Sequence, residues 1–280
     1  MNSAGKIFVR GIGAVSPSGW SVADLREAWT KKVSLPFENL QRPGWQKSLR
    51  VRNVPPPVLR PAFFAHPRLR RSTAVAQYSV AAALEAIGDD FSKIQSGDLR
   101  LGIIVCVLSG GVNYTRRFYE ENLREPATAS PLLFPETVFN SPASHLGAFL
   151  GATEINYTLA GDEGMVLQGL ALAANWLADE KVDACVVVGA EENDWIVSDA
   201  LRLFRRQAIH AAGAGAIYLK KIFSADAIEL AVVTDSFSMS YWRSTVSLCC
   251  TRITAAQDDE AVISRSLRII ISARFNFRTN

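Results

Sequence analysis

The run "DACVVVGAE", residues 183–191, limits what this chain can fold into more than any other stretch. Its apolar residues are consecutive rather than alternate, so a strand made from it must be covered on both faces. A second such run, "LRLGIIVCVLSGG" (99–111), closes on a glycine pair. Two doubly covered strands require helices above and below one sheet. The chain supplies them. "STAVAQYSVAAALEAIGDD" (72–90) reads as a helix ended by Gly88, and "SVADLREAWTKK" (21–32) as a helix capped by Ser21 with Val22, Leu25, Ala28 and Trp29 at helical spacing.

The remaining segments keep the alternation. "KIFVRGIGAVSP" (6–17) is a β-branched run broken by Gly11 and Gly13 and stopped by Ser16-Pro17. "VNYTRRFYEENLRE" and "VFNSPASHLGAFLG" read as helices, "TEINYTLA" as a strand, and Gly164 to Ala178 as a long apolar helix. "GAGAIYLKKI" and "AIELAVVTDSFSMS" add two strands. The predicted class is therefore α/β, a mixed or parallel sheet with helices on both faces. Residues 34–68, rich in Pro and aromatics, read as a long irregular excursion, and 126–136 as a Pro-broken loop. Residues 1–240 are assigned to one domain. Residues 241–280 have no clean rhythm before "LRIIISARFNF" and are set apart as a poorly specified tail.

Composition removes several functional classes. A formal net charge of +3 over 280 residues gives no electrostatic case for nucleic acid. The basic cluster from Arg50 to Arg71 is read as a solvated loop, with an acidic carrier protein as the sharper alternative. No apolar run reaches the roughly 18 residues of a membrane span. The N-terminus lacks the pattern of a secretory signal, so a cytoplasmic location is expected. The four cysteines show no metal or disulfide spacing, and neither a metal nor a cofactor is expected. Cys106 and Cys185 sit inside strand runs as small buried hydrophobes. Cys249 and Cys250 lie in the tail.

The turn Ala160-Gly161-Asp162-Glu163-Gly164 joins a strand to the long apolar helix, a common position for a nucleophile, yet it holds neither Cys nor Ser. Asp162 and Glu163 are read as partners of the helix dipole, a setting that weakens a carboxylate as nucleophile.

Several stretches, in order, resemble the N-terminal half of the β-ketoacyl-acyl carrier protein synthases, of thiolase-like fold. They are "VRGIGAVSPSGWSVADLREAWTKKVS", "RRSTAVAQYSVAAALEA", "PETVFNSPASHLGAFLGATEINYTLA" with Asn140, Ala143, His145 and Leu146, "VDACVVVGAEE", and "AAGAGAIYL". The resemblance spans roughly residues 6–240 and implies the first of the family's two halves. In the family a Cys opens the buried helix in a pattern like Ala-Cys-x-x-Gly. With Ala160 and Gly164 matched, Gly161 takes the place of that Cys. A helix N-terminus stabilises a thiolate and its N–H groups hold an oxyanion, so Gly161 keeps at most the donors and forms no thioester. The family also uses two His and a Lys from its second half. This chain's histidines are His66, read as exposed, His145, read as structural, and His210, with no catalytic role.

The resemblance thus implies a non-catalytic homologue. It would act like a chain-length factor, as homodimer or heterodimer with an active ketosynthase, on chains borne by acyl carrier protein. By the same resemblance "TEINYTLA", with Ile155, Tyr157 and Leu159 apolar at alternate positions, is the dimer strand. Val138, Phe139 and Asn140 fall near the acyl tunnel at the interface, where Val138 and Phe139 are either limiters of chain length or ordinary core residues. Two alternatives stay open. One is an active condensing enzyme with another nucleophile; the other is a truncated, degenerate synthase without activity.

Overall fold

A computed structural model describes residues 6–162, 164–204, 206–222, 228–233 and 268–271. In chain order the elements are β1 (Phe8–Val15), α1 (Val22–Thr30), β2 (Glu38–Leu40), β3 (Leu49–Arg52), α2 (Ala74–Ile87), α3 (Phe91–Ser96), β4 (Leu101–Val107), α4 (Val112–Arg124) and α5 (Phe134–Thr137). They continue with α6 (Ser141–Leu150), β5 (Asn156–Ala160), α7 (Met165–Ala178), β6 (Ala184–Glu191), α8 (Trp195–Phe204), β7 (His210–Ala211), β8 (Gly213–Lys220), β9 (Ile228–Val233) and β10 (Arg268–Ile271).

The two apolar runs become β4 and β6, neighbours deep in a seven-stranded sheet ordered β10-β9-β1-β8-β6-β4-β5. β5, β4 and β6 run parallel; β8 lies antiparallel between β6 and β1. Successive residues of the central strands enter different cores. Ile103 and Val105 of β4, with Val186 and Val188 of β6, meet Val80 and Ala83 of α2 and Leu146 of α6. Ile104, Cys106, Cys185 and Val187 meet Leu170, Ala173, Trp176 and Leu177 of α7 on the other face. Each large aliphatic side chain buried in this way contributes about 1.5–3 kcal/mol. The expected mixed sheet with helices on both faces is what forms.

Gly11 and Gly13 explain how α2 reaches the sheet. A Cβ on Gly11 would stand 2.0 Å from the Ala86 carbonyl oxygen, and one on Gly13 would stand 1.9 Å from that of Ala82. The glycines are a landing strip for helix backbone.

One expectation changes. The excursion at 34–68 contains β2 and β3, which pair antiparallel, and β3 pairs in parallel with β7 to make a second, three-stranded sheet. Leu49 and Val51 bury beneath it, an alternation too short to stand out among the prolines. Of the segment set apart as a tail, Arg268–Ile271 adds a strand parallel to β9; Cys249 and Cys250 lie outside the described residues.

Candidate functional site

The site is built where β5 hands over to α7. Among the described residues β5 is the outermost strand on its side of the sheet, and it pairs with β4 through Ile103↔Asn156 to Val107↔Ala160. The next N–H, that of Gly161, donates to the Val107 carbonyl at 3.0 Å. Gly164 N–H donates to Asp162 Oδ1 at 2.8 Å, and Met165 N–H to the Asp162 carbonyl at 3.0 Å. Asp162 thus shapes the turn, as an acidic residue before a helix does. Glu163 lies outside the described residues. The Gly161 N–H is engaged within the fold: it completes the β4–β5 ladder.

The space a side chain at 161 would take is occupied. A Cβ there would lie 2.8 Å from both Cγ and Sδ of Met165. Met165 is partly buried against the α7 core, where an unbranched thioether fills irregular gaps.

Of the two described cysteines, Cys106 contacts this turn. Its Sγ donates to the Met165 carbonyl at 3.4 Å. The residue is 4% exposed, and burial pushes its thiol up to about 12. A thiol held that high carries negligible thiolate near neutrality and is a poor nucleophile. Cys185, on the adjacent strand, is raised for the same reason.

The histidines divide. His145 Nε2 lies 2.7 Å from Glu136 Oε1, and Ser141 Oγ donates to Glu136 Oε2 at 3.0 Å. Burial pushes the Glu136 carboxyl up, but His145, Ser141 and the Thr73 backbone outweigh it and hold the group below its ordinary value. The expected structural role of His145 takes this form: it ties α6 to the α5 segment. His66 is half-buried with its ring edge-on to Phe149 at 5.3 Å, so the expectation of an exposed loop residue is corrected. His210 sits on β7 beside Val51 of β3.

The end of β6 does work that sequence reading missed. Glu191 accepts from the N–H groups of Leu108 and Ser109 and from Ser109 Oγ at 2.6 Å. Glu192 accepts from Asn113 N–H at 2.9 Å, and Asp194, 2% exposed, accepts from Arg116 Nε at 2.8 Å. Burial raises the carboxyls of both glutamates. Three acidic residues within four positions thereby fix the glycine turn after β4 and the start of α4. The signal was present in "GAEEND": acids following a fully buried strand must find donors.

The remaining candidates are on the surface. Val138 is 40% exposed and Phe139 48%, so neither is an ordinary core residue, and Asn140 is exposed at the start of α6. Leu132 and Phe134 next to them are also exposed. Ile155 precedes β5 rather than belonging to it, and its carbonyl accepts from Ile103 N–H at 2.9 Å. Ile155 and Leu159 pack toward α7, and Tyr157 meets the Trp176 ring at 5.7 Å. Their alternation therefore records contact with α7, whereas the edge open to another strand is backbone.

Among the described residues no helix is long and apolar enough to cross a membrane.

This arrangement is the thiolase-like fold of the ketosynthases. No protein-family model matches the sequence, and no curated protein matches it. Among solved structures, the ishigamide ketosynthase/chain length factor superposes with a TM-score of 0.65 at 17% identity, covering 81% of this chain and 65% of that one. A ketosynthase (ApeO) in complex with its chain length factor (ApeC) from Xenorhabdus doucetiae gives 0.63 at 14% identity, over 81% and 61%. A β-ketoacyl synthase from Burkholderia phymatum STM815 gives 0.61 at 19% identity, over 78% and 59%. The chain spans less than two thirds of the length of each. At such identities the likeness carries the fold, and function must be argued from the site.

Proposed function

We propose that this chain is a ketosynthase-like protein that does not form the acyl thioester, and that it acts in fatty-acid or polyketide chain building as the chain-length-factor-type partner of an active ketosynthase. The observation that carries the reading is Gly161. At the junction of β5 and α7 it offers no sulfur, its N–H is bonded to Val107, and Met165 fills the space before it. A condensing site needs a thiolate and open oxyanion donors at that turn.

Two surface features support a partner role. β5 has one edge without a pairing strand among the described residues, and β-strand addition is a common mode of association. Leu132, Phe134, Val138 and Phe139 form an exposed apolar run, the kind of patch that a partner covers. Val138 and Phe139 would then border the partner's acyl tunnel and limit chain length by bulk. Arg68, Arg70 and Arg71 are exposed ahead of α2 and suit the approach of an acidic acyl carrier protein.

The test is co-expression with ketosynthases followed by incubation with radiolabelled acyl-carrier substrate. A stable complex labelled only on the ketosynthase is expected. Label on this chain would overturn the non-catalytic reading, and failure to co-purify with any ketosynthase would overturn the partner role.

A further inference from the structure

A cleft of about 180 Å³ opens between the three-stranded sheet and α8, on elements that take no part in the turn at Gly161. Lys47 and Arg50 line it just before and at the start of β3, His210 on β7, and Arg202 and Arg206 at the C-terminal end of α8 and the residues after it. Ser198, 3% exposed and one helical turn before Arg202, lies on the same face of α8. Among the described residues no carboxylate lines the cleft. The nearby acid on α8, Asp199, is engaged by Arg42 Nη1 at 2.5 Å. Lys47, Arg50, Arg202 and Arg206 form no ion pair among the described residues; Arg50 stacks on Phe37 at 5.2 Å instead.

One cation at the end of α8 follows from the helix dipole. Four basic residues lining one cleft from segments some 150 positions apart in sequence do not. Their mutual repulsion is a standing cost that an anion in the cleft would relieve. A single carboxylate neutralises one of them. Four match an anion of two or more charges, and the guanidinium fork fits phosphate oxygens two at a time. The basic residues line a concavity instead of running along a face, which suits a small anion and not a nucleic-acid backbone.

From this convergence we propose that the cleft between β3, β7 and α8 is a binding site for the diphosphate group of a small molecule.

The experiment is isothermal titration calorimetry of the full chain with pyrophosphate and, separately, inorganic phosphate. Saturable pyrophosphate binding is expected in the sub-millimolar range, about tenfold tighter than phosphate and weakening as salt is added. Lys47→Gln and Arg202→Gln should each weaken it about tenfold with unchanged thermal unfolding, while Arg124→Gln on α4 leaves it as in the parent. Arg206→Gln, at an exposed position, serves if Arg202→Gln unfolds. Absence of saturable binding, equal affinity for the two anions, or equal loss in the Arg124 variant would each sink the proposal.

Discussion

Met165 stands where a side chain on residue 161 would stand: its Cγ and Sδ lie 2.8 Å from the Cβ position of Gly161. The two residues are four apart at the start of α7, so the obstruction is local and its partner is flexible. Gly161→Ala should therefore cost only about 1 kcal/mol, the low end for an overpacked site, because a methionine can turn aside. Met165→Ala removes the crowding, and the two substitutions together should cost less than their sum. Urea denaturation of the single and double variants measures that coupling; strict additivity would show that Met165 is not the obstruction.

The rival nucleophile makes a separate prediction. With its thiol at about 12, Cys106 should remain unalkylated by iodoacetamide in the native protein at pH 7.5 and react fully once the chain is unfolded in urea. Peptide mass spectrometry reads both states. Rapid native modification of Cys106 would return it to candidacy as a catalytic thiol.

How much of this was legible beforehand follows from which residues carry each feature. Unbroken runs such as "IIVCV" and "CVVV" announce a doubly covered sheet, because no other arrangement hides consecutive apolar residues in a strand. β3 was missed because its signal is two buried residues, Leu49 and Val51, among prolines. The blocked turn was half legible: the missing sulfur at Gly161 is visible in sequence, but the intrusion of Met165 depends on a rotamer. The cleft was illegible, since Lys47 and Arg202 come to line one cavity only in the folded chain. The clamp made by Glu191, Glu192 and Asp194 lies between these cases, for the acids are plain but their donors are distant in the chain.

Asp90 ties the end of α2 to the sheet and gives a pH dependence. Its Oδ2 accepts from Lys220 Nζ at 2.8 Å and from the Tyr218 hydroxyl at 3.1 Å, and its Oδ1 from Lys93 Nζ at 2.9 Å. Burial alone would raise the carboxyl, but these donors lower it from 3.8 to about 2. A folded-state value below the unfolded one contributes stability above the unfolded value and loses it as pH falls from 3.8 toward 2. After solvent screening the contribution is on the order of 1 kcal/mol. Asp90→Asn should lower stability at pH 7 by at least this much, since Lys220 is left 9% exposed without its acid, and the gap to the parent should narrow below pH 3.8. Thermal unfolding across pH checks it; a gap that stays constant would show that Asp90 does not titrate in this way.

The ladder between β4 and β5 yields the sharpest test of the partner role. Ile103 N–H donates to the Ile155 carbonyl, and Gly161 N–H donates to that of Val107. A parallel ladder engages alternate residues of a strand, so residues 155, 157, 159 and 161 bond inward to β4. The N–H of Thr158 consequently points to the open edge. Proline at 158 removes a donor that the chain itself does not use, at a strand position whose extended backbone tolerates its ring. Thr158→Pro should leave the protein folded by circular dichroism but abolish assembly with a co-expressed ketosynthase, measured by size-exclusion chromatography with light scattering. Assembly at the parent's level would mean that any partner docks elsewhere, and the exposed run from Leu132 to Phe139 would then be the surface to alter.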